Sequence, residues 1–303
     1  MRKRGYRSRA VVVTAAAALV GIAGVAACDA SGGNSPAPKG SASRAKPSPK
    51  PTPAWDRSPR SLAAVGDSIT RGFDACSVLS DCPEVSWATG SDAKVNSLAV
   101  RLLGKTGAAQ RSWNYAATGS RMADLPAQMA RAVTRKPELV TVMAGANDAC
   151  RATAADMTSV SDFRTQFEDA MGTLRESLPK TQVYVSSVPD LKRLWSQGRT
   201  NELGKRIWKL GICPSMLEDA DALDSTATLR RDKVQDRVEE YNEALEEVCE
   251  KDKRCRFDGG AVFDYRFGTA QLSHWDWFHP STNGQARLAE MAYRVVTAAK
   301  PAD

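Results

Sequence analysis

The sequence predicts an α/β protein: a three-layer α/β/α sandwich with a central, mostly parallel sheet, flavodoxin-like in its winding. Three observations carry this. From residue 61 onward, short apolar runs alternate with longer segments of helical periodicity. The short runs are continuously apolar, as in strands covered on both faces, where a half-exposed strand would alternate. The longer segments carry apolar stripes on one face only, as helices laid against a sheet do. Strands alternating with helices imply right-handed βαβ units.

Taken in order, the strand candidates are SLAAV (61–65), WNYAA (113–117), ELVTVMA (138–144) and QVYVSSV (182–188), with a candidate fifth inside CRFDGGAVF (255–263). One helical face gathers Phe163, Phe167, Met171, Leu174 and Leu178. A second gathers Val234, Val238, Tyr241, Leu245 and Val248, and a third Leu288, Met291, Val295 and Val296. The stretch 190–228 has poor helical periodicity, holds Trp195, Trp208 and Cys213, and reads as an insertion. No internal repeat is present, and one domain is expected over residues 55–303.

The first 54 residues have a different character. MRKRGYRSR (1–9) carries five basic residues and no acid, and AVVVTAAAALVGIAGVAA (10–27) is apolar and small. Together they read as a signal peptide over 1–27, with a permanent membrane-spanning anchor as the alternative. Val25-Ala26-Ala27-Cys28 resembles the lipobox of bacterial lipoproteins, which implies lipidation of Cys28. Residues 28–54, rich in Pro, Ser, Gly and Lys, cannot bury enough apolar surface to fold and are expected to be a disordered linker. Of the net charge of +7, the leader carries +5 and residues 28–54 carry +3, which leaves −1 for residues 55–303. The basic pI of about 9.1 therefore does not describe the folded part, and nucleic-acid binding is not expected. The expected location is outside the cell, or the outer face of the cytoplasmic membrane.

Apart from Cys28, six cysteines remain: Cys76, Cys82, Cys150, Cys213, Cys249 and Cys255. An even number in an exported chain suggests disulfides, and six cysteines allow 15 pairings. Short spacing favours Cys76–Cys82 and Cys249–Cys255, which leaves Cys150–Cys213. Zinc ligation is the competing reading. It lacks a CxxC, and both histidines sit elsewhere, so no metal is expected.

In open α/β sheets, ligands bind beyond the carboxyl ends of the strands. There the predicted strands deliver Gly66-Asp67-Ser68, then Thr118-Gly119-Ser120, then Gly145-Ala146-Asn147-Asp148. A serine hydroxyl needs a base to become a nucleophile. The chain has two histidines, both in HWDWFHP (274–280). Asp276 precedes His279 by three residues, close enough to hold its imidazole, whereas the rival base His274 has no acid at that spacing. Donors for a developing oxyanion would be the Ser68 and Gly119 amides and the Asn147 side chain. Ser68 as a turn or cap residue, and Asn147 as a helix cap, are the bland alternatives. Asp67 and Asp148 are expected to brace loops. Trp275 and Trp277 suit either a substrate pocket or the core.

The set Gly66-Asp67-Ser68, Gly119, Gly145-x-Asn147-Asp148 and Asp276-x-x-His279 resembles the SGNH, or GDSL-type, hydrolases. Its blocks occur in that family's order across residues 64–281. GDSI replaces GDSL, and Thr70 distinguishes the stretch from a G-x-S-x-G elbow. The resemblance implies ester hydrolysis through an acyl-serine, with Ser68 as nucleophile, His279 as base and Asp276 as orienting acid. Ser68, Gly119 and Asn147 would form the oxyanion hole. The expectation is a monomeric serine esterase without cofactors, acting on a small-molecule, lipid or acylated-sugar ester. Within enzymes the alternative is a polysaccharide O-deacetylase or a phospholipase-type lipase. Outside them it is a non-catalytic surface binding protein.

Overall fold

The computed structural model describes residues 55–301. The readings that fall on residues 1–54, namely the leader, Cys28 and the linker, lie outside the described residues. Five strands, β1 (Leu62–Gly66), β2 (Ser112–Asn114), β3 (Leu139–Met143), β4 (Gln182–Val185) and β5 (Cys255–Phe257), form one sheet in the order β2-β1-β3-β4-β5. Every pairing is parallel. β1, β3 and β4 are buried along their whole length, which is why they read as unbroken apolar runs.

Among the described residues, ten α-helices connect and cover the sheet: α1 (Ser68–Arg71), α2 (Leu98–Arg111), α3 (Leu125–Val133), α4 (Ala146–Ala149), α5 (Val160–Ser177), α6 (Leu191–Gly198), α7 (Glu202–Trp208), α8 (Pro214–Leu217), α9 (Ser225–Glu250) and α10 (Thr282–Thr297). α5 packs against both α3 and α9, while α2 packs against α10, giving the two helical layers. The stripes read from sequence point inward: Phe163, Phe167, Met171 and Leu174 on α5, Val234, Val238, Tyr241, Leu245 and Val248 on α9, and Leu288, Val295 and Val296 on α10 are buried, whereas Leu178, which follows α5, and Met291 are half-buried. Phe163 stacks on Tyr241 at 4.1 Å, joining the two helices. Trp55 closes the base of the domain, its Nε1 donating to the Val296 carbonyl at 2.9 Å and its ring facing Arg256.

Two expectations need correction. The second and fourth strands are shorter than the apolar runs that predicted them. Pairing nevertheless continues as single bonds, Ala117 N to Gly66 O and Ser186 N to Val142 O, that carry the chain on toward the site. The stretch 190–228 is also not poor in helix, since it holds α6, α7, α8 and the start of α9. α6, α7 and α8 are too short for periodicity to register, and side-chain caps start the first two of them. Asp190 accepts from Arg193 N at 2.7 Å, and Asn201 accepts from Gly204 N at 2.8 Å.

The cysteines pair as Cys76–Cys82, Cys150–Cys213 and Cys249–Cys255. The second ties the start of α8 to the end of α4, so the insertion is fastened close to Asn147. Among the described residues no helix is long and apolar enough to cross a membrane.

Candidate active site

The strand order reverses between β1 and β3, and the candidate residues gather at the carboxyl ends of those two strands. Gly66 ends β1 with φ +147°, and a Cβ there would lie 2.1 Å from the Met143 carbonyl oxygen on β3. Only glycine lets the chain turn so close to its neighbour. Asp67 then caps α1, its Oδ1 accepting from Ile69 N at 2.9 Å. The cap is thus Asp67 and not Ser68, which leaves the serine hydroxyl without a structural task in the helix.

Ser68 Oγ lies 3.0 Å from His279 Nε2, across 211 residues of sequence. His279 Nδ1 lies 2.5 Å from Asp276 Oδ2. Asp276 is fully buried, and its other oxygen accepts from the backbone N–H of Phe278 at 2.9 Å and of His279 at 3.0 Å. With Nδ1–H donating to Asp276, Nε2 is left to accept from Ser68. The loop is held from outside as well: Trp208 Nε1 donates to the Asp276 carbonyl at 2.6 Å, and Ser273 N donates to the His279 carbonyl at 2.7 Å. Ser281 caps α10 directly after Pro280.

Burial and neighbouring charges act on His279 in opposite directions. Burial acts to lower the His279 pKa, but the carboxylates of Asp276, Asp74 and Asp67 outweigh it and hold the imidazole above its ordinary value. For Asp276, burial acts upward, yet His279 and the two loop N–H groups hold the carboxyl below its usual range. Burial pushes Asp67 up to about 7.

Asn147 lies in the first turn of α4, half-buried, with Nδ2 donating to the Ser120 carbonyl at 2.9 Å. Gly119 has φ +84° and an exposed, open backbone. Among the described residues neither the Ser68 nor the Gly119 amide donates a hydrogen bond to protein, so both remain available. Asp148 braces as expected, accepting from Met122 N at 2.9 Å and Thr158 Oγ1 at 2.8 Å. His274 is exposed, its ring tilted against Trp275 with centroids 4.2 Å apart, away from any carboxylate partner among the described residues. Trp277, at φ +54°, packs over Gly204 of α7.

Three contributors escape a reading by motif. Gln128 clamps the end of β1, accepting from Gly66 N at 2.8 Å and donating to Gly66 O at 2.9 Å and Ser120 Oγ at 3.0 Å. Its sequence signal is a lone amide on the buried face of α3, beside Leu125, Met129 and Ala132. Trp208 is the second. The third is Asp74, fully buried two residues before the loop closed by Cys76–Cys82.

A cavity of about 730 Å³ lies in the insertion, lined by Glu202, Lys205, Trp208, Leu217 and Asp221 among others. A second, of about 410 Å³, is lined by Thr118, Gly119, Ser120 and Gln128. Neither cavity is lined by Ser68, Asp276 or His279, but the second includes Gly119 and Ser120, which follow the end of β2 beside the candidate residues.

Residues 62–292 match the family model described as GDSL-like lipase/acylhydrolase. The chain therefore belongs to the GDSL-like lipase/acylhydrolase family, whose name describes hydrolysis of acyl groups. No curated protein matches the sequence. Among solved structures, it is similar to a protein described as a GDSL-like lipase from Parabacteroides merdae (17% identity, 78% of this chain and 94% of that one, TM-score 0.46). It is also similar to the extracellular lipase of Streptomyces rimosus (16%, 78% and 99%, TM-score 0.43). A third is a family two carbohydrate esterase from Clostridium thermocellum (15%, 77% and 62%, TM-score 0.43).

Proposed function

We propose that the protein is a serine esterase that cleaves acyl esters through an acyl-serine intermediate. The observation that carries this is the chain of contacts Ser68 Oγ to His279 Nε2 at 3.0 Å and His279 Nδ1 to Asp276 Oδ2 at 2.5 Å. Ser68 Oγ attacks the ester carbonyl while its proton passes to Nε2, and the imidazolium so formed is stabilised by Asp276. The negative oxygen of the tetrahedral adduct is met by the Ser68 amide, the Gly119 amide and Asn147 Nδ2. Collapse expels the alkoxide, which takes the proton from Nε2 and leaves as the alcohol. Water then enters, gives a proton to the same nitrogen and attacks the acyl-serine; the second adduct collapses with cleavage of the acyl–Oγ bond, Ser68 Oγ takes the proton back from Nε2, and the acid leaves.

The substrate is a small-molecule, lipid or acylated-sugar ester. We read the protein as exported and held at the membrane through Cys28, and three disulfides in the folded part support an oxidising compartment. The test is turnover by the purified full chain of p-nitrophenyl esters from acetate to palmitate, alongside acetylated oligosaccharide and phospholipid. Hydrolysis within this set, lost in Ser68→Ala, is the expected result. No turnover of any of them would sink the reading in favour of a non-catalytic binder.

A further inference from the structure

Beside the candidate histidine lies a second buried carboxyl to which the mechanism above gives no task. Asp74 sits in the loop between α1 and α2 with no exposed surface, at φ +56°. Its position is fixed on several sides. Its N–H donates to the Ser80 carbonyl at 3.0 Å, its carbonyl accepts from Ser273 Oγ at 2.6 Å, and its Oδ1 accepts from Leu79 N. The Cys76–Cys82 disulfide closes the same loop. Its remaining oxygen, Oδ2, is buried without a hydrogen-bond donor. One carboxylate oxygen of Asp74, one of Asp276 and one ring nitrogen of His279 lie within 4.8 Å of one another.

Two ionised carboxylates in one dry enclosure repel, and neither can donate to the other. Asp276 has its acceptor capacity engaged by His279 and two backbone N–H groups. Asp74 has an oxygen to spare, so a proton resident on it removes the repulsion and gives the orphaned atom something to donate. We propose that Asp74 is a positioning residue for the candidate base, its carboxyl sharing one proton with Asp276 beside the His279 imidazole. The inference rests on the reading of Ser68, His279 and Asp276 given above.

The charged groups around this cluster are few. Asp276 and His279 face Asp74 from the 273–280 loop, and Asp67 faces His279 from the start of α1, with Asp148 behind it. Arg71 and Asp81, nearby in sequence, neutralise each other at 3.0 Å. Burial first, and then Asp276, push Asp74 up to about 6, so its proton is exchanged in the range where an imidazole titrates. The three groups then titrate as a unit. When Asp74 is ionised its charge holds the proton on His279. When Asp74 is protonated it draws on Asp276 and releases that hold.

The test is the pH profile of kcat/KM for the full chain, each variant scaled to its own maximum, comparing wild type, Asp74→Asn and Asp74→Ala. Asparagine is permanently neutral, keeps an acceptor for Leu79 N and offers a donor to Asp276. The acid limb of Asp74→Asn is expected to move down by about one pH unit, because above about pH 6 Asp74 has given up its proton and asparagine removes that charge from beside His279. A structural role alone would lower activity at every pH and leave the limb in place, and that result in a folded variant overturns the proposal. Ser68→Ala run in parallel separates the two failures. Activity surviving in it defeats the esterase reading, whereas an unmoved limb with Ser68→Ala dead defeats only the role of Asp74. If neither Asp74 variant folds, carboxyl ¹³C and imidazole NMR titrations of the wild-type chain decide. Asp74 and His279 moving in shared steps support the proposal, and Asp74 titrating with no response at His279 overturns it.

Discussion

Replacing Asp67 by asparagine should flatten part of the pH dependence of stability, and the size of the effect follows from the position of the side chain. Asp67 is 1% exposed; Oδ1 caps α1 through Ile69 N, and Oδ2 is buried with no donor. Burial raises its pKa from an ordinary 3.8 to about 7. Between those two values the unfolded chain is ionised while the folded one keeps its proton. Folded stability from this group is therefore fully present below about pH 4 and is lost as pH rises to about 7. The slope is about 1.4 kcal/mol per pH unit. From pH 5 to pH 7 the loss is of order 3 kcal/mol. Asp67→Asn keeps the cap and removes the ionisation. Its new buried N–H costs stability equally at both pH values and cancels in the comparison. Urea unfolding of both proteins at pH 5 and pH 7 measures the double difference. Wild type should lose about 2–3 kcal/mol more than the variant across that interval. Equal losses would refute the claim that Asp67 is protonated in the folded state.

Two further outcomes follow from the same geometry. Asn147→Ala should reduce kcat by about 10²–10³ with a much smaller effect on KM, because the amide serves the charge of the adduct; a loss within about threefold, measured by steady-state ester hydrolysis, contradicts that role. Removing Cys150–Cys213, which closes a separation of 63, should destabilise more than removing Cys249–Cys255, which closes a separation of 6. Loop entropy sets the two at about 4 and about 2 kcal/mol, and denaturant unfolding of the paired serine variants should preserve that order.

The strands were legible because β1, β3 and β4 are buried on both faces, and burial on both faces leaves a continuous apolar run. The two long helices were legible because they bury one stripe and are long enough to repeat it. α6, α7 and α8 were not, since helices of four to eight residues show no period; α6 and α7 start on side-chain caps, and α6 and α8 pack on α9. At the site, Ser68, Asp276 and His279 were named because several short blocks stand together in one family's order, each weak alone; the structure brings these three side chains into one hydrogen-bonded line, and their roles are the proposal made above. Gln128, Trp208 and Asp74 act through contacts 62, 68 and 199 residues away in sequence, and nothing beside them in the chain announces those partners. Asp67 was read as a brace, and the cap to Ile69 makes it one. Its raised pKa comes from burial, which a loop motif does not reveal.

The central claim is that Ser68 takes the acyl group, and mass spectrometry of the quenched enzyme tests it most directly. The full chain is mixed with an ester that it turns over, stopped in acid within the first turnover, and digested. The account predicts the acyl mass on the peptide containing Ser68, absent in Ser68→Ala and accumulating when deacylation is slowed. An acyl group found on another residue, or Ser68→Ala hydrolysing the ester at the wild-type rate, would contradict it.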